Sequence, residues 1–266
     1  MKVYDCFIFN HEIEMLEIRL NILDEYVDHF ILTEGDTTFA GNPKESFYLK
    51  HKDKFSKWEH KIIHNFVKVP KSFTISWDRE IWSRNASLNL DIFKDEDLIL
   101  SSDIDEIPNP EVLEHKDEWI KDDSHFTFQQ MRYVYYINNA EYQHGKLMDH
   151  WLGTRAATYK YMKNTTIDDI REYTEDPEKI TNYLITNGGW HFSYCGGEEF
   201  IREKIGSNSD VEYQVPQIYD NVKKHMEQNT DLFYRNWFSY RKIELDDSFP
   251  EYLLNNQEKY SHLIKK

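Results

Sequence analysis

The chain has 266 residues, and its 32 Lys and Arg against 48 Asp and Glu give a formal net charge of −16. This acidic balance argues against a nucleic-acid partner, because a phosphate backbone would be repelled by most of the protein surface. Aromatic residues make up 15% of the chain, so we expect a folded protein with a sizeable core rather than a disordered one.

The sequence contains no signal for export or membrane insertion. Asp5 interrupts the short apolar run near the N-terminus, and no apolar stretch approaches the roughly 18 residues that span a membrane. The two cysteines, Cys6 and Cys195, are too few and too far apart for a disulfide framework or a zinc site. We therefore expect a cytoplasmic protein with no integral membrane segment.

Strands and helices alternate through the first hundred residues. Apolar runs predict strands, and apolar residues at helical spacing predict helices. The predicted strands are 3–9, 29–34, 61–67 and 97–102, and the predicted helices are 13–27, 47–55 and 77–93. This alternation is typical of an α/β fold with an open, mostly parallel sheet flanked by helices, in which ligands bind at the carboxyl ends of the strands.

The second half of the chain has a different pattern. Residues 125–138 are aromatic and partly alternating, which predicts an antiparallel or edge strand. A short hairpin over 151–162 and helices over 166–171, 198–205 and 219–228 follow. The weak boundary near residue 115 divides a single domain, 1–266, into the halves 1–115 and 116–266.

Three carboxylates follow the strand at 97–102: Asp103, Asp105 and Glu106. On an extended segment the side chains of Asp103 and Asp105 point the same way, so both could bind one divalent cation, and nucleotide phosphates could complete its oxygen shell. Alternatively, these acids cap the next helix.

A second motif, 188–194, combines two glycines with a histidine among aromatic residues. Gly188 and Gly189 allow close approach of the backbone to a ligand, and a neutral His191 could add a nitrogen ligand to the same metal. The alternative is a histidine satisfied within the core.

Other side chains are open to two interpretations. Glu80 and Arg84 share a helix face and could form a solvated ion pair, or Arg84 could bind a phosphate. Lys44 is either a surface lysine or a contact to a donor. The aromatic residues 133–136, with Trp151, either stack on a sugar ring or pack as ordinary strand residues.

Taken in order, these motifs resemble glycosyltransferase family 17, the family of the β-1,4-mannosyl-glycoprotein β-1,4-N-acetylglucosaminyltransferases. The resemblance covers residues 1 to about 215. Its matching residues are Asp5, Phe7, Asn10, Glu12, Leu16, Arg19, Leu20, Val27, Asp28, Phe30, Glu34, Thr38, Phe39, Gly41, Pro43, Lys44, Arg84, Asn85, 102–108 and 188–194.

The resemblance implies an α/β fold of the GT-A type with a smaller antiparallel portion. Residues 1–115 would be the nucleotide-sugar-binding half, and 116–266 the acceptor-binding half with C-terminal helices. It also implies an inverting transfer that uses Mn²⁺ or Mg²⁺ and moves N-acetylglucosamine from the nucleotide-sugar donor UDP-GlcNAc to a glycan or glycoconjugate acceptor.

Site residues carry over by position. Asp103, Asp105 and His191 would be metal ligands, and the donor-binding residues would be Glu34, Lys44, Arg84, Asn85 and Asp103. An inverting transfer also needs a base for the acceptor hydroxyl. We favour Glu199 for this role over Glu198, Asp149, Asp168 and Asp169. One departure from the family is Asp210, which stands where members tend to have a histidine shortly before the acid that matches Glu212.

Two other functions remain open from the sequence. A non-catalytic carbohydrate-binding protein could keep the fold and lose the transfer activity. A metal-dependent phosphohydrolase also uses clustered carboxylates, although it ordinarily needs more metal ligands than this sequence offers.

Overall fold

The computed structural model describes residues 1–171 and 183–266. The strands within them are β1 (Val3–Ile8), β2 (His29–Gly35), β3 (Ile62–Val67), β4 (Leu98–Asp103), β5 (Glu106–Pro108), β6 (Phe126–Val134), β7 (Asn139–Gln143), β8 (Lys146–Leu147), β9 (Trp151–Thr158), β10 (Tyr183–Ile185), β11 (Gly189–Ser193) and β12 (Phe238–Lys242).

The helices in the same residues are mostly short. They are α1 (Ile13–Leu23), α2 (Phe47–His51), α3 (Ser76–Ala86), α4 (Pro110–Glu114), α5 (Lys116–Trp119), α6 (Tyr159–Met162), α7 (Ile167–Ile170), α8 (Gly197–Ser207), α9 (Pro216–Tyr219), α10 (Val222–Gln228) and α11 (Glu251–Asn255). Turns of 3₁₀ helix lie at Lys52–Trp58, Ser87–Asn89, Val211–Tyr213 and Ser261–Leu263. No helix in the described ranges is both long and apolar enough to cross a bilayer.

One sheet runs through both halves of the chain, in the order β12-β7-β6-β9-β4-β1-β2-β3. The strands β4, β1, β2 and β3 pair in parallel, whereas β9, β6, β7 and β12 join by antiparallel ladders. The predicted α/β class, with parallel strands flanked by helices and an antiparallel portion, is confirmed. Burial explains the apolar β1, since all six of its residues are buried between layers.

The short strand β5 joins the two motifs that the sequence singled out. It pairs antiparallel with β11, in the register Trp190 opposite Ile107 and His191 opposite Glu106. The strand β11 also pairs in parallel with β6. Because β5 follows β4 after a two-residue turn, His191 lies beside the acid cluster although more than eighty residues separate them in the chain.

Within the described residues, the helix predicted over 77–93 and the hairpin predicted over 151–162 are wrong. The helix predicted over 77–93 ends at Ala86, where the backbone N–H of Ser87 bonds to the carbonyl of Arg84 and the chain tightens into 3₁₀ helix. Leu90 and Phe93 still pack against the sheet, from an irregular segment. The hairpin predicted over 151–162 is instead β9 followed by α6, because β9 has a ladder partner on each side, β4 and β6.

Candidate functional site

A cleft of about 680 Å³ opens beyond the carboxyl ends of β1 and β4. Its floor comes from the residues after these strands and from β11, and its walls from α3, α8, residues 207–213 and residues 233–238. Parallel strands of an α/β sheet place their loops at this edge, which is why ligands bind there. This position agrees with the expectation drawn from the sequence.

The acid cluster is a turn rather than an extended segment. Ile104 and Asp105 form the turn between β4 and β5, so the expectation that Asp103 and Asp105 point the same way along a strand is wrong. Arg19 of α1 holds the turn from below: one of its nitrogens, Nη1, donates to the carbonyl oxygens of Asp103, Ile104 and Glu106 at 2.9–3.1 Å.

Arg19 is itself fixed by a fully buried ion pair with Asp5 of β1, at 2.6 Å. Its Nη2 also donates to the hydroxyl of Ser102. Arg19 and Asp5 are both 0% exposed. A guanidinium has five N–H donors in a rigid fork, so one buried arginine can bind a carboxylate and several carbonyls together. Asp5 and Arg19 therefore set the shape of the acid turn.

Asp105 lies on the floor of the cleft between two other side chains. Its Oδ2 is 2.7 Å from Nζ of Lys204, and its Oδ1 is 3.7 Å from Nε2 of His191. Burial disfavours the charged form of Asp105, but Lys204 and His191 outweigh burial and hold the pKa of this carboxyl well below its usual range. In turn, Asp105 and Glu12 raise the pKa of Lys204 against the effect of its burial.

Asp103 is held by arginines. Its carboxylate accepts hydrogen bonds from Nε and Nη2 of Arg84 at 3.1 and 3.0 Å, and Arg171 lies at 3.6 Å. Arg84 also pairs with Glu80 one helical turn earlier. Asp103 lines the cleft. Its carboxylate oxygens bind Arg84, so the structure does not support its predicted role as a metal ligand beside Asp105.

The third acid of the cluster, Glu106, is fully buried and structural. It accepts hydrogen bonds from both terminal nitrogens of Arg171, at 2.9 and 3.0 Å, and from the indole N–H of Trp151 at 2.8 Å. Burial opposes its ionisation, yet Arg171 lowers the pKa of Glu106 to about 2. The carboxylate thereby fixes one cation and one aromatic ring of the cleft lining.

Asp105 and His191 are placed so that both could contact one divalent cation. Their facing atoms, 3.7 Å apart, lie within the distance of about 4 Å that two ligands of one small cation can span. In residues 1–171 and 183–266 no group of three or more His, Cys, Asp or Glu is arranged to hold a metal. A cation at this place would therefore need water or ligand oxygens for most of its shell.

Cationic side chains surround this floor in an otherwise acidic protein. Each one is oriented by a carboxylate: Arg132 by Glu141 at 3.1 Å and Arg235 by Asp231 at 2.7 Å, like the arginines and lysine described above. Those that line the cleft in the described part of the chain are Arg84, Arg132, Arg171, Lys204 and Arg235. Such a set, held by buried acids, suits an anionic ligand with several oxygens.

Glu34 and Lys44, predicted to bind the donor, lie outside the residues that line the cleft. Glu34 is fully buried, pairs with Lys44 at 3.0 Å, and accepts a hydrogen bond from Ser46, the N-cap of α2. Lys44 also donates to the backbone and side-chain oxygens of Asn10, both at 2.8 Å. Both residues thus anchor the loop beside the cleft, because Lys44 neutralises the buried charge of Glu34.

Asn85 likewise holds two elements together. Its side chain donates to Asp168 at 2.7 Å and accepts from the backbone N–H of Ile167 at 2.8 Å, which joins α3 to the start of α7. Asn85 is not part of the cleft lining, so the structure does not support its predicted contact with the donor. Of the predicted donor-binding residues, Arg84 and Asp103 line the cleft.

The structure does not support Glu199 as the base, because its side chain is exposed on α8 and outside the cleft lining. Glu198, next to it, pairs with Arg202 at 2.8 Å. Asp210, by contrast, lines the cleft and is partly buried. Burial, and then the negative charges of Glu212 and Glu80, raise the pKa of Asp210 to about 6.

Aromatic residues divide between core and cleft. Tyr133 and Tyr135 are 1% exposed and pack in the core, which favours ordinary packing for the 133–136 segment. Trp151 lines the cleft, with its ring 4.6 Å from that of His191. Two further cleft residues, Trp77 and Trp237, are 45% and 44% exposed, and the sequence patterns did not single them out.

Sequence reasoning also missed Arg19, Lys204, Arg171 and Arg235 as parts of the site. Arg19 was among the residues that matched the family, but no local pattern indicated its contact with the acid turn. Lys204 and Arg235 come from distant segments that only the fold brings to the cleft.

Comparisons with known proteins agree with the resemblance. The model of Glycosyltransferase family 17 matches residues 1–265. The chain is 21% identical to the Beta-1,4-mannosyl-glycoprotein 4-beta-N-acetylglucosaminyltransferase of Mus musculus and 22% identical to that of Homo sapiens. Each alignment covers 99% of this chain, and 54% and 55% of the two relatives, so the chain spans about half the length of the curated relatives it matches.

Among solved structures, S. aureus TarS 1-349 is 12% identical with a TM-score of 0.42, and the match covers 85% of this chain and 72% of that chain. The family match extends over nearly the whole sequence, including the acid turn and the histidine strand that form the floor of the cleft. The chain belongs to glycosyltransferase family 17.

Proposed function

We propose that this chain is an inverting glycosyltransferase that moves N-acetylglucosamine from UDP-GlcNAc to a carbohydrate acceptor. Family membership supports transfer of a sugar, and the relatives named above act as N-acetylglucosaminyltransferases. The observation that carries the proposal is the pairing of Asp105 with Lys204 and His191 on the floor of a cleft that arginines surround.

The donor would bind through its diphosphate. Lys204 and Arg84 present N–H donors in the cleft while their carboxylate partners, Asp105 and Asp103, keep them oriented, so donor oxygens would meet prearranged charge. Asp105 and His191 would hold Mn²⁺ or Mg²⁺, which supplies positive charge to a diphosphate leaving group when bound. Asp103 would contribute indirectly, by fixing the guanidinium of Arg84.

The acceptor would bind on the aromatic side of the cleft. Trp77 on α3 and Trp237 before β12 each leave almost half of the side chain open to solvent within the cleft lining. Indole faces pack well against the apolar faces of pyranose rings, while surrounding polar groups bind their hydroxyls. We therefore assign the acceptor, a glycan or glycoconjugate, to this side.

Calorimetric titration of nucleotide sugars tests the proposal. We expect UDP-GlcNAc to bind in the presence of Mn²⁺ and to bind at least tenfold more weakly after addition of a chelator. With two protein ligands, Asp105 and His191, the cation should be easily removed by the chelator, and the diphosphate then loses its positive partner. Asp105→Asn should remove the metal dependence. Glu203→Gln, an exposed change on α8 outside the cleft lining, is the matched control and should bind like the unchanged protein.

Absence of binding across a panel of nucleotide sugars, with the protein shown to be folded, would contradict the proposal. Glycan binding without nucleotide-sugar binding would then favour the non-catalytic carbohydrate-binding alternative. The phosphohydrolase alternative has less support, because the described residues contain no group of three or more metal-binding side chains.

A further inference from the structure

Most carboxylates of the cleft are already committed to a partner. Within the described chain, a lysine or arginine binds Asp103, Asp105 and Glu80. The carboxylate of Glu12 accepts hydrogen bonds from two backbone N–H groups, and that of Asp168 from Asn85. An acceptor hydroxyl would have to share or displace these existing partners, so these five acids are less suitable as the base.

Two acids of the cleft lining differ, Asp210 and Glu212. In the described ranges neither carboxylate accepts a hydrogen bond at normal distance. The positive charge of Arg235 lowers the pKa of Asp210 and so opposes the effects that raise it. Glu212 is exposed, so water solvates it. Asp210 is partly buried, and burial together with the charges of Glu212 and Glu80 raises its pKa to about 6. Asp210 remains mostly ionised at neutral pH and can accept a proton.

The backbone around Asp210 contacts both segments that carry the exposed tryptophans, Trp77 and Trp237. The hydroxyl of Ser76, next to Trp77, donates to the carbonyl of Ser209 at 2.6 Å. On the other side, the ring of Tyr213 packs 4.2 Å from that of Phe233, in the segment that carries Trp237. Asp210 therefore lies between the segments that bear the two exposed tryptophans.

Asp210 is also within electrostatic reach of the floor. Tyr194 lines the cleft, and the charges of both Asp210 and Asp105 help to raise the pKa of its hydroxyl, although burial is the main cause. A base for the acceptor hydroxyl must lie between the bound acceptor and the bound donor. Asp210 lies between the tryptophan side of the cleft, proposed for the acceptor, and the floor, proposed for the donor.

We propose that Asp210 is the catalytic base, an assignment that rests on the glycosyltransferase function proposed above. The acceptor oxygen forms a bond to the anomeric carbon of the donor while its O–H bond breaks and the proton moves to a carboxylate oxygen of Asp210. The bond from the anomeric carbon to the diphosphate oxygen breaks, and its electron pair leaves with UDP. Charge and atoms balance, and the anomeric configuration inverts.

The first test uses Asp210→Asn. Release of UDP from UDP-GlcNAc with Mn²⁺ measures transfer to water, so no acceptor needs to be known. We expect at least a 100-fold loss of this rate, within the usual range for removal of a general base, with calorimetric binding of UDP-GlcNAc unchanged. Full activity, or loss of donor binding together with activity, would overturn the assignment. Absence of donor binding by the unchanged protein would instead contradict the proposed function.

The second test is a pH profile. The rate divided by donor concentration, at low donor, should fall below pH about 6 in the unchanged protein as Asp210 becomes protonated. Glu212→Gln removes a negative neighbour of Asp210, so this acidic limb should move to lower pH, whereas Glu203→Gln should leave it in place. A limb that does not move in Glu212→Gln would overturn the assignment, because a structural role for Asp210 predicts no such shift.

Discussion

The two sides of the cleft use carboxylates in opposite ways. On the floor, Asp105 is paired with Lys204 and its pKa lies well below the usual range. At the wall, burial and then the negative charges of Glu212 and Glu80 raise the pKa of Asp210 to about 6. The same functional group is thus held charged by paired cations on the floor and made more basic by burial and like charges at the wall. Under the proposed function, the floor would be the donor side of the cleft and the wall its acceptor side.

The largest expected effect is on the free energy of unfolding, when the buried ion pair of Asp5 and Arg19 beneath the acid turn is broken. Arg19→Met should lower the free energy of unfolding by about 3–5 kcal/mol, because Asp5 would remain buried without its partner. Urea denaturation measures this loss. Arg202→Met, which breaks a partly exposed pair with Glu198, should cost less than about 1 kcal/mol. Equal losses in the two variants would show that the buried pair does not hold the acid turn.

The second-largest expected effect is on donor affinity, when Lys204 on the floor of the cleft is replaced. Lys204→Met should weaken UDP-GlcNAc binding about tenfold or more, since a hydrogen bond to a charged group contributes about 1.5–3 kcal/mol. Lys204→Arg should restore part of the affinity. Calorimetry measures both variants. Tighter binding in Lys204→Met would show that the lysine competes with the cation for Asp105 instead of contacting the diphosphate.

Substitution of Asp210, at the wall of the cleft, should increase the free energy of unfolding, whereas Arg19→Met lowers it. The pKa of Asp210 is raised in the folded state, so ionisation of this group destabilises the protein above pH about 6, and the cost disappears below about pH 4. Asp210→Asn should therefore increase the free energy of unfolding by about 1 kcal/mol at pH 8, a value reduced for partial solvent contact. Denaturation at pH 8 and pH 4 checks this, and a gain of equal size at both pH values would contradict it.

The smallest effect is expected at the acceptor wall. Trp237→Ala should raise the KM for a glycan acceptor about fivefold, corresponding to about 1 kcal/mol of lost ring contact, and leave donor affinity unchanged. Trp237→Phe keeps an aromatic face and should lie between the two. Steady-state kinetics with varied acceptor measures KM. A change in donor affinity of the same size would place Trp237 on the donor side.

Local patterns predicted the parallel half of the sheet well. Strands at 3–9, 29–34, 61–67 and 97–102 were recognisable because buried parallel strands are continuous apolar runs. The helix over 77–93 was too long, because apolar residues such as Leu90 pack against the sheet without being helical. Helical spacing records which residues are buried, and an irregular segment can bury the same ones.

Site residues show the same limit. Asp105 and His191 belong to compact motifs, so the sequence singled them out, and the pairing of β5 with β11 brings them together. Glu34, Lys44 and Asn85 were expected at the donor because of their place in the family pattern, but the fold uses them to tie loops and helices beside the cleft.

By itself the sequence determined the family, the α/β class and the acid and histidine motifs, because these depend on residue type and short spacing. Only the tertiary structure decided which carboxylates are neutralised and which stay basic. That distinction depends on burial and on charges from distant segments, such as Lys204 beside Asp105 and Glu80 near Asp210. Electrostatic energies vary with distance in space, which the order of residues along the chain does not specify.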